Sequence, residues 1–534
     1  MKTLWTNGTI YTMKHEFDKV EAVLVEEDKI IDRGDRFRLE EEYKIDHIED
    51  LQGAIMYPGF VDSHLHMIGH GEKLLRLDLS EVMSAEEMKT TLREKVYTTS
   101  IRDWIIGEGW NENNFMDRKI FHRLELDEIA PHHPMMLTRI CRHALLANSK
   151  ALEIAGITEE TEDPPGGVIV RDSNGTPTGF LLDKAQELVK DALPQVTEDY
   201  LHRALRTSVQ DLTRLGLVGG HTEDLNYYGG FKRTHQAFLD ILNPDQLQFK
   251  ANLLVHHEVV KDMHEEGLKF GHSNGLVELG AMKIFADGAL GGRTAYLSKP
   301  YNDMPETYGV AIHSLTELKE LVKKARHYQM PVAIHTIGDL ALEFALYAVE
   351  EHPPPEGLRD RFVHGQVVRP DLLERLKKVP VIIDIQPHFV ASDFPWVIER
   401  LGEARMKYSF AWKTLLKEGI PCAAGSDAPI ETADPLLTIY AAVMRKKHGD
   451  KHEGFYPEQK LSVFEAVELY TRGSAYAIGK ENENGMIEKG YSADFTILNG
   501  DLFHMDPEEI PNIKVVKTVV NNSTVYQAKS NEKF

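Results

Sequence analysis

Eight short apolar runs recur between residues 59 and 425, and helical patterns separate the later ones. The runs fall at 59–62, 217–220, 251–255, 281–285, 331–334, 361–363, 381–385 and 422–425, with helical periodicity over 315–328 and 339–351. Strands that alternate with helices return parallel to one another through crossovers. Eight of them predict an α/β chain closed into a (β/α)₈ barrel.

The gap between the first two runs is far too long for one crossover. Residues 72–205 are therefore predicted to include an insertion, which holds Trp104 to Trp110 and the stretch Pro164-Pro165-Gly166-Gly167. An insertion after the first barrel strand leaves from the catalytic face, as a lid would. Both chain ends read as β-structure. The start offers 9–12 and a hairpin of 22–25 with 29–31. The end offers 493–498, then 515–520 turning through Asn521-Asn522-Ser523 into 524–526. The expected organisation is a small β-sandwich from 1–56 plus 480–534 around a barrel at 57–479. Two separate β caps are the alternative.

Composition narrows the function. Of 534 residues, 61 are Lys or Arg and 84 are Asp or Glu, for a net charge of −23. Such a surface repels nucleic acid and anionic lipid, though it says little about a small substrate, whose pocket carries its own local charge; a small molecule is the expected partner, with no nucleic acid and no membrane. No stretch approaches the roughly 18 apolar residues that span a bilayer, and the start lacks a secretory apolar run. Cys141 and Cys422 are the only cysteines. No disulfide framework is available, which suits the cytoplasm. A metal site must then draw on carboxylates and on the 25 histidines.

Candidate ligands stand at the ends of the runs. The first leads into His64-Leu65-His66. The fourth carries Lys283 and is followed by Asp287-Gly288. The fifth ends at His335, the sixth at His364 and the eighth at Asp427. Strand C-termini of such a barrel open into one mouth, so these groups are predicted to converge there. His64 and His66, two apart on a strand, project from one face. Paired imidazoles suit zinc or a similar divalent ion.

Preceded by Pro58-Gly59-Phe60-Val61-Asp62-Ser63, the His-x-His pair resembles the first-strand motif of the amidohydrolase superfamily. The segments 283–295, 333–339, 362–366, 385–388 and 425–429, with His143, Asn148 to Leu152 and Gly166-Gly167 in the insertion, resemble its YtcJ-like branch, also called amidohydrolase family 3. Gly220-His221-Thr222-Glu223 departs from the pattern, since relatives usually carry the acidic residue directly after the histidine. The resemblance implies that His64, His66 and Asp427 hold one metal ion and His335 and His364 a second. Lys283, as a CO₂-derived carbamate, would bridge them. Zinc is the expected metal, with manganese or iron as alternatives and one or two ions per chain. A lysine must be neutral to attack CO₂, which burial near cations favours; the alternative is a plain ion pair of Lys283 with Asp287.

The implied reaction is hydrolysis of a non-peptide carbon–nitrogen bond by metal-activated hydroxide, with Asp427 as the catalytic acid–base. Cyclic amides, ureas or esters are alternative substrates for the same centre. A non-catalytic assembly protein on this fold would have lost ligands, whereas all six positions are filled here. His143, Arg293, Trp110 and His388 are candidates for substrate contact. For Arg293 a structural ion pair, and for Trp110 packing within the insertion, are the competing readings. A homodimer is the usual state of such barrels.

Overall fold

The computed structural model describes residues 1–101, 103–139, 143–194 and 196–529; Cys141 lies outside them. Two compact units are present, one of Met1–Gly71 with Leu201–Phe534 and one of Glu72–Tyr200.

The larger unit is built on eight parallel strands: β1 (Phe60–Leu65), β2 (Leu217–Thr222), β3 (Lys250–His256), β4 (Val277–Phe285), β5 (Val332–Thr336), β6 (Asp360–His364), β7 (Val381–Ile385) and β8 (Cys422–Ala424). They pair in chain order. Past their ends the first and last strands meet, since Asp427 N–H donates to the His64 carbonyl and His66 N–H to that of Ala428, each at 2.7 Å. The result is a (β/α)₈ barrel. Each apolar run of the sequence falls in one strand to within a residue at the run's ends. A parallel sheet covered on both faces calls for strands without polar alternation, and Val381-Ile382-Ile383-Asp384-Ile385 is buried throughout. Gly425 lets the last strand close on the first, because a Cβ there would stand 2.4 Å from the His64 nitrogen.

Crossover helices follow from local chemistry. Helix α1 (Leu315–His327) starts at Ser314, whose hydroxyl accepts from Glu317 N–H while the Glu317 carboxylate accepts from Ser314 N–H. This reciprocal cap satisfies two otherwise orphaned donors. Leu318, Val322 and Ala325 form its buried stripe. Helix α2 (Asp339–Glu351) follows β5 and buries Ala341, Leu342, Ala345, Leu346 and Val349.

The chain ends share a sheet. Its order is Ser523–Gln527, Val515–Val520, Phe495–Leu498, Ile55–Pro58, Thr9–Tyr11 and Lys19–Val20. Phe495–Leu498 and Ile55–Pro58 pair antiparallel, so N- and C-terminal segments are neighbours in it. Lys29–Gly34, Ala22–Glu26, Lys2–Thr6 and His47–Asp50 make a second sheet. Trp5, Val23 and Val25 from this sheet share one core with Met56, Phe495 and Val519 from the other. Only Gly59 separates Ile55–Pro58 from β1, which carries this rigidity into the strand that bears His64.

The smaller unit holds a six-stranded sheet, ordered Gly167–Arg171, Pro177–Asp183, Ala144–Ala147, Met135–Arg139, Ile105–Trp110 and Leu77–Asp78. It has hydrophobic clusters of its own, one around Met88, Leu92, Trp110 and Leu126 and another around Leu145, Leu152, Leu181 and Val189. The insertion is thus a folded unit rather than a long loop. No helix among the described residues is long and apolar enough to cross a membrane.

Candidate metal centre

The strand ends bring the six sequence-predicted ligand positions into one chain of contacts. His64, at the end of β1, is 1% exposed, and its Nε2 lies 3.5 Å from Asp427 Oδ1. His66 Nε2 lies 3.4 Å from the same oxygen. The ligand atoms of His64, His66 and Asp427 fall within 4.8 Å of one another. Lys283 on β4 is fully enclosed, with Nζ 3.3 Å from His64 Nε2. His335 Nδ1 and His364 Nε2 stand 3.1 Å apart, and the His64 and His364 rings are 5.9 Å apart. Asp427 and His364 both adopt left-handed backbone angles, φ +57° and +78°. Non-glycine residues there cost about 1–3 kcal/mol each, a strain that collects at functional sites.

Hydrogen bonds fix which ring nitrogen carries the proton. Glu223 presents its main-chain carbonyl to His66 Nδ1 at 2.7 Å. Gly288 does the same for His335 Nε2 at 3.1 Å. Gln386 Oε1 lies 2.7 Å from His364 Nδ1, and the Gln386 amide is oriented because its Nε2 donates to the Asp384 carbonyl. These oxygens only accept, so the facing nitrogens donate. Lone pairs are left on His364 Nε2 and His335 Nδ1, and on His66 Nε2 once the proton it shares with Asp427 is lost. Two nitrogens on one tetrahedral zinc, each at about 2.0–2.1 Å, stand roughly 3.3 Å apart. The contacts of 3.1–3.5 Å therefore match the edges of such a shell. Imidazoles and a carboxylate also suit a divalent ion of intermediate hardness. The residues present fit a metal.

Burial and charge tune these groups differently. Burial drives His64 and His335 well below the usual imidazole range, with Lys283 among the cations that add to it, and it takes His364 down to about 4. Burial also lowers the Lys283 amine, against the pull of Glu223 and Asp427. At His66 burial is outweighed by the Asp427 carboxylate, and the imidazole is pushed up to about 9. Asp427 in turn is held below the ordinary carboxylate value: burial opposes this, and His66, His364 and Lys283 prevail.

Some expected roles move. Asp287 is no ion-pair partner for Lys283. Its carboxylate is taken up by three backbone N–H groups, of Tyr296, Ile337 and Gly338, at 2.7–3.0 Å. Trp110 is enclosed in the core of the smaller unit, where its indole donates to the Leu137 carbonyl. That corrects the expectation of ligand contact, because no face of the ring is free for one. Arg293 is held by Asp303, which Arg400 also grips. His388 Nδ1 lies 2.7 Å from Glu431. His143, in the smaller unit, is exposed and lies 3.0 Å from Asp183. Sequence reasoning gave no role to Glu223 or Gln386, which orient His66 and His364. Neither stands at a ligand-like spacing, and one acts through its main chain.

A barrel mouth lined with these donors defines a metal-dependent hydrolase. The chain belongs to the amidohydrolase family, which it matches over residues 47–526. It is 50% identical to YtcJ of Bacillus subtilis (strain 168) over 99% of this chain and all of that one. It is 24% identical to the N-substituted formamide deformylase of Arthrobacter pascens, over 90% of this chain and 89% of that one. A crystal structure of a metal-dependent hydrolase from Pyrococcus horikoshii OT3 superposes with a TM-score of 0.78 at 31% identity, covering 95% of this chain and 99% of the other.

Proposed function

We propose that this hydrolase cleaves a non-peptide carbon–nitrogen bond of amide type in a small molecule. The observation that carries the reading is the convergence along one barrel mouth of two sets, His64, His66, Asp427 and Lys283 in contacts of 3.3–3.5 Å and His335 with His364 at 3.1 Å, whose His64 and His364 rings are 5.9 Å apart. His64, His66 and Asp427 would hold one divalent ion, zinc by ligand type, and His335 and His364 a second. Lys283 would join them as a carbamate, for which its enclosed, lowered amine is suited. Bound metal supplies Lewis acidity, lowering the pKa of water from about 15.7 to roughly 7 and polarising a carbonyl.

The chain's own groups handle the proton. Asp427 is ionised at neutral pH, its carboxylate held low beside His66. It takes the proton of the attacking water as the new carbon–oxygen bond forms. It returns that proton to the nitrogen as the carbon–nitrogen bond breaks. Main-chain carbonyls and Gln386 keep the imidazoles in the tautomers that face inward.

The similarity to a formamide deformylase sets the order of the test. The zinc- or manganese-loaded chain is assayed against formamides, N-acyl amines, ureas and lactams. Turnover of an amide-type substrate that Asp427→Asn abolishes supports the reading. Cleavage of esters alone, or a chain that takes up no divalent ion, overturns it.

A further inference from the structure

Directly after β2 stands a carboxylate that the proposed chemistry does not use. Glu223 is wholly enclosed, and apart from the Tyr227 phenol, which reaches it only in loose geometry, neither of its oxygens has a hydrogen-bond partner among the described residues. Water cannot approach it as packed, since its side chain exposes no surface. A carboxylate left this way costs several kcal/mol unless a positive charge compensates it. The candidates are nearby. Oε2 lies 3.8 Å from His66 Nδ1, while the same residue's carbonyl accepts from that nitrogen at 2.7 Å. Glu223 also acts on Lys283 and on His256 as the neighbouring negative charge. The Tyr227 phenol lies beside it and is pushed up by burial, by that charge and by a hydrogen bond to the carboxylate; a neutral donor of this kind leaves the negative charge itself uncompensated.

One residue thus acts on His66 twice, through an oriented acceptor and through a fixed charge on the side of the ring away from Asp427. An imidazole that gives its Nε2 lone pair to a dication becomes more positive at Nδ1–H, and a carboxylate there stabilises the loaded state more than the empty one.

We propose that Glu223 is a positioning residue for the metal centre, a buried counter-charge that strengthens His66 as a ligand and so tightens the His64–His66–Asp427 site. This rests on the reading of that site as a metal centre. It assigns Glu223 no contact with substrate and no ligand bond of its own.

The test measures metal, not turnover. Full-length protein stripped of metal is titrated with Zn²⁺ against a chromophoric chelator, and with Co²⁺ while its visible absorption is followed. Glu223→Gln keeps the carbonyl and the shape and removes the charge. It should weaken the first ion by on the order of 10- to 100-fold and alter the cobalt spectrum. The melting temperature of the metal-free variant should not fall. Glu223→Asp keeps the charge one methylene further back and should lie between. First-ion affinity within about twofold of wild type in Glu223→Gln overturns the proposal. If that variant does not fold, Glu223→Asp decides: weakening of threefold or more supports the role, and wild-type affinity overturns it. Should the wild type itself bind no divalent ion, the metal reading fails, and this proposal fails with it. Equal binding by wild type and variant removes only the role of Glu223.

Discussion

The two halves of the centre use the same imidazole chemistry and differ in charge. On one side His64 and His66 share an ionised aspartate, with Glu223 behind them. On the other, His335 and His364 face each other at 3.1 Å, and behind their rings stand the neutral oxygens of Gly288 and Gln386, with the Asp287 carboxylate, already taken up by backbone N–H groups, 3.5 Å from His335 Nε2. The first half holds an anion in its own ligand set. The second obtains one only if Lys283 takes up CO₂, as proposed above. A dication demands negative ligands to offset its loss of water, so the first half should fill alone and the second conditionally. On the proposed reading, one barrel mouth would house an autonomous site beside one gated by a lysine.

Asp427 is where this contrast breaks most visibly. Asp427→Asn removes both the proton carrier and the anion of the first half. Turnover of a confirmed substrate should fall on the order of 10²–10⁴-fold, with some metal still bound through the imidazoles. Near wild-type turnover would remove Asp427 from the chemistry. Lys283→Met comes next. Metal analysis should show the second ion lost and the first retained, and bicarbonate should restore the second ion to metal-free wild type but not to the variant. Loss of both ions together would abolish the distinction between the halves.

Much of this was legible in the sequence for a physical reason. Buried parallel strands need continuous apolar runs, so the eight runs mark β1 to β8, and the ligand side chains sit where those runs stop. His64, His335 and His364 each lie at or next to a strand terminus in the structure. What supports the ligands was not legible. Glu223 holds His66 through a main-chain oxygen, for which any side chain would serve, and Asp287 gave no sign of preferring three backbone N–H groups to Lys283. Trp110 left ligand contact open beside packing, because an aromatic ring in an insertion is ambiguous without its core. The folded character of residues 72–200 rests on pairings such as Met135–Arg139 with Ile105–Trp110, which no local pattern announces.

Proton release sharpens the comparison further. His66, pushed up to about 9 in the metal-free chain, carries a proton at pH 7 that an ion must displace. Affinity of the first half should therefore rise by about tenfold per pH unit between the ordinary imidazole value near 6.5 and about 9, with one proton released per ion. Titrations in buffers of different ionisation enthalpy count that proton. The imidazoles of the second half are lowered and already neutral at pH 7. They add no such slope above pH 6.5. They act on stability instead, through a shift of opposite direction. A buried imidazole whose folded value lies near 4 contributes stability that is complete above about 6.5 and is lost as pH falls toward 4, because the unfolded chain binds the proton first. Melting temperatures of the metal-free protein from pH 7 to 4 should fall over that window. A flat profile would mean that His335 and His364 are not held neutral.

Gln386 gives the smallest and most selective effect. Gln386→Leu removes the acceptor that sets the His364 tautomer and leaves a buried ring N–H without a partner, at about 1–3 kcal/mol. The ring can then turn its donor toward His335, where two lone pairs had stood face to face. The second ion should bind on the order of tenfold more weakly. The first should hold within about twofold, since nothing in its set touches Gln386. Chelator competition on the two-ion protein reads both steps in one experiment. If the two weaken equally, the halves are one cooperative site, and the charge asymmetry between them is without consequence for binding.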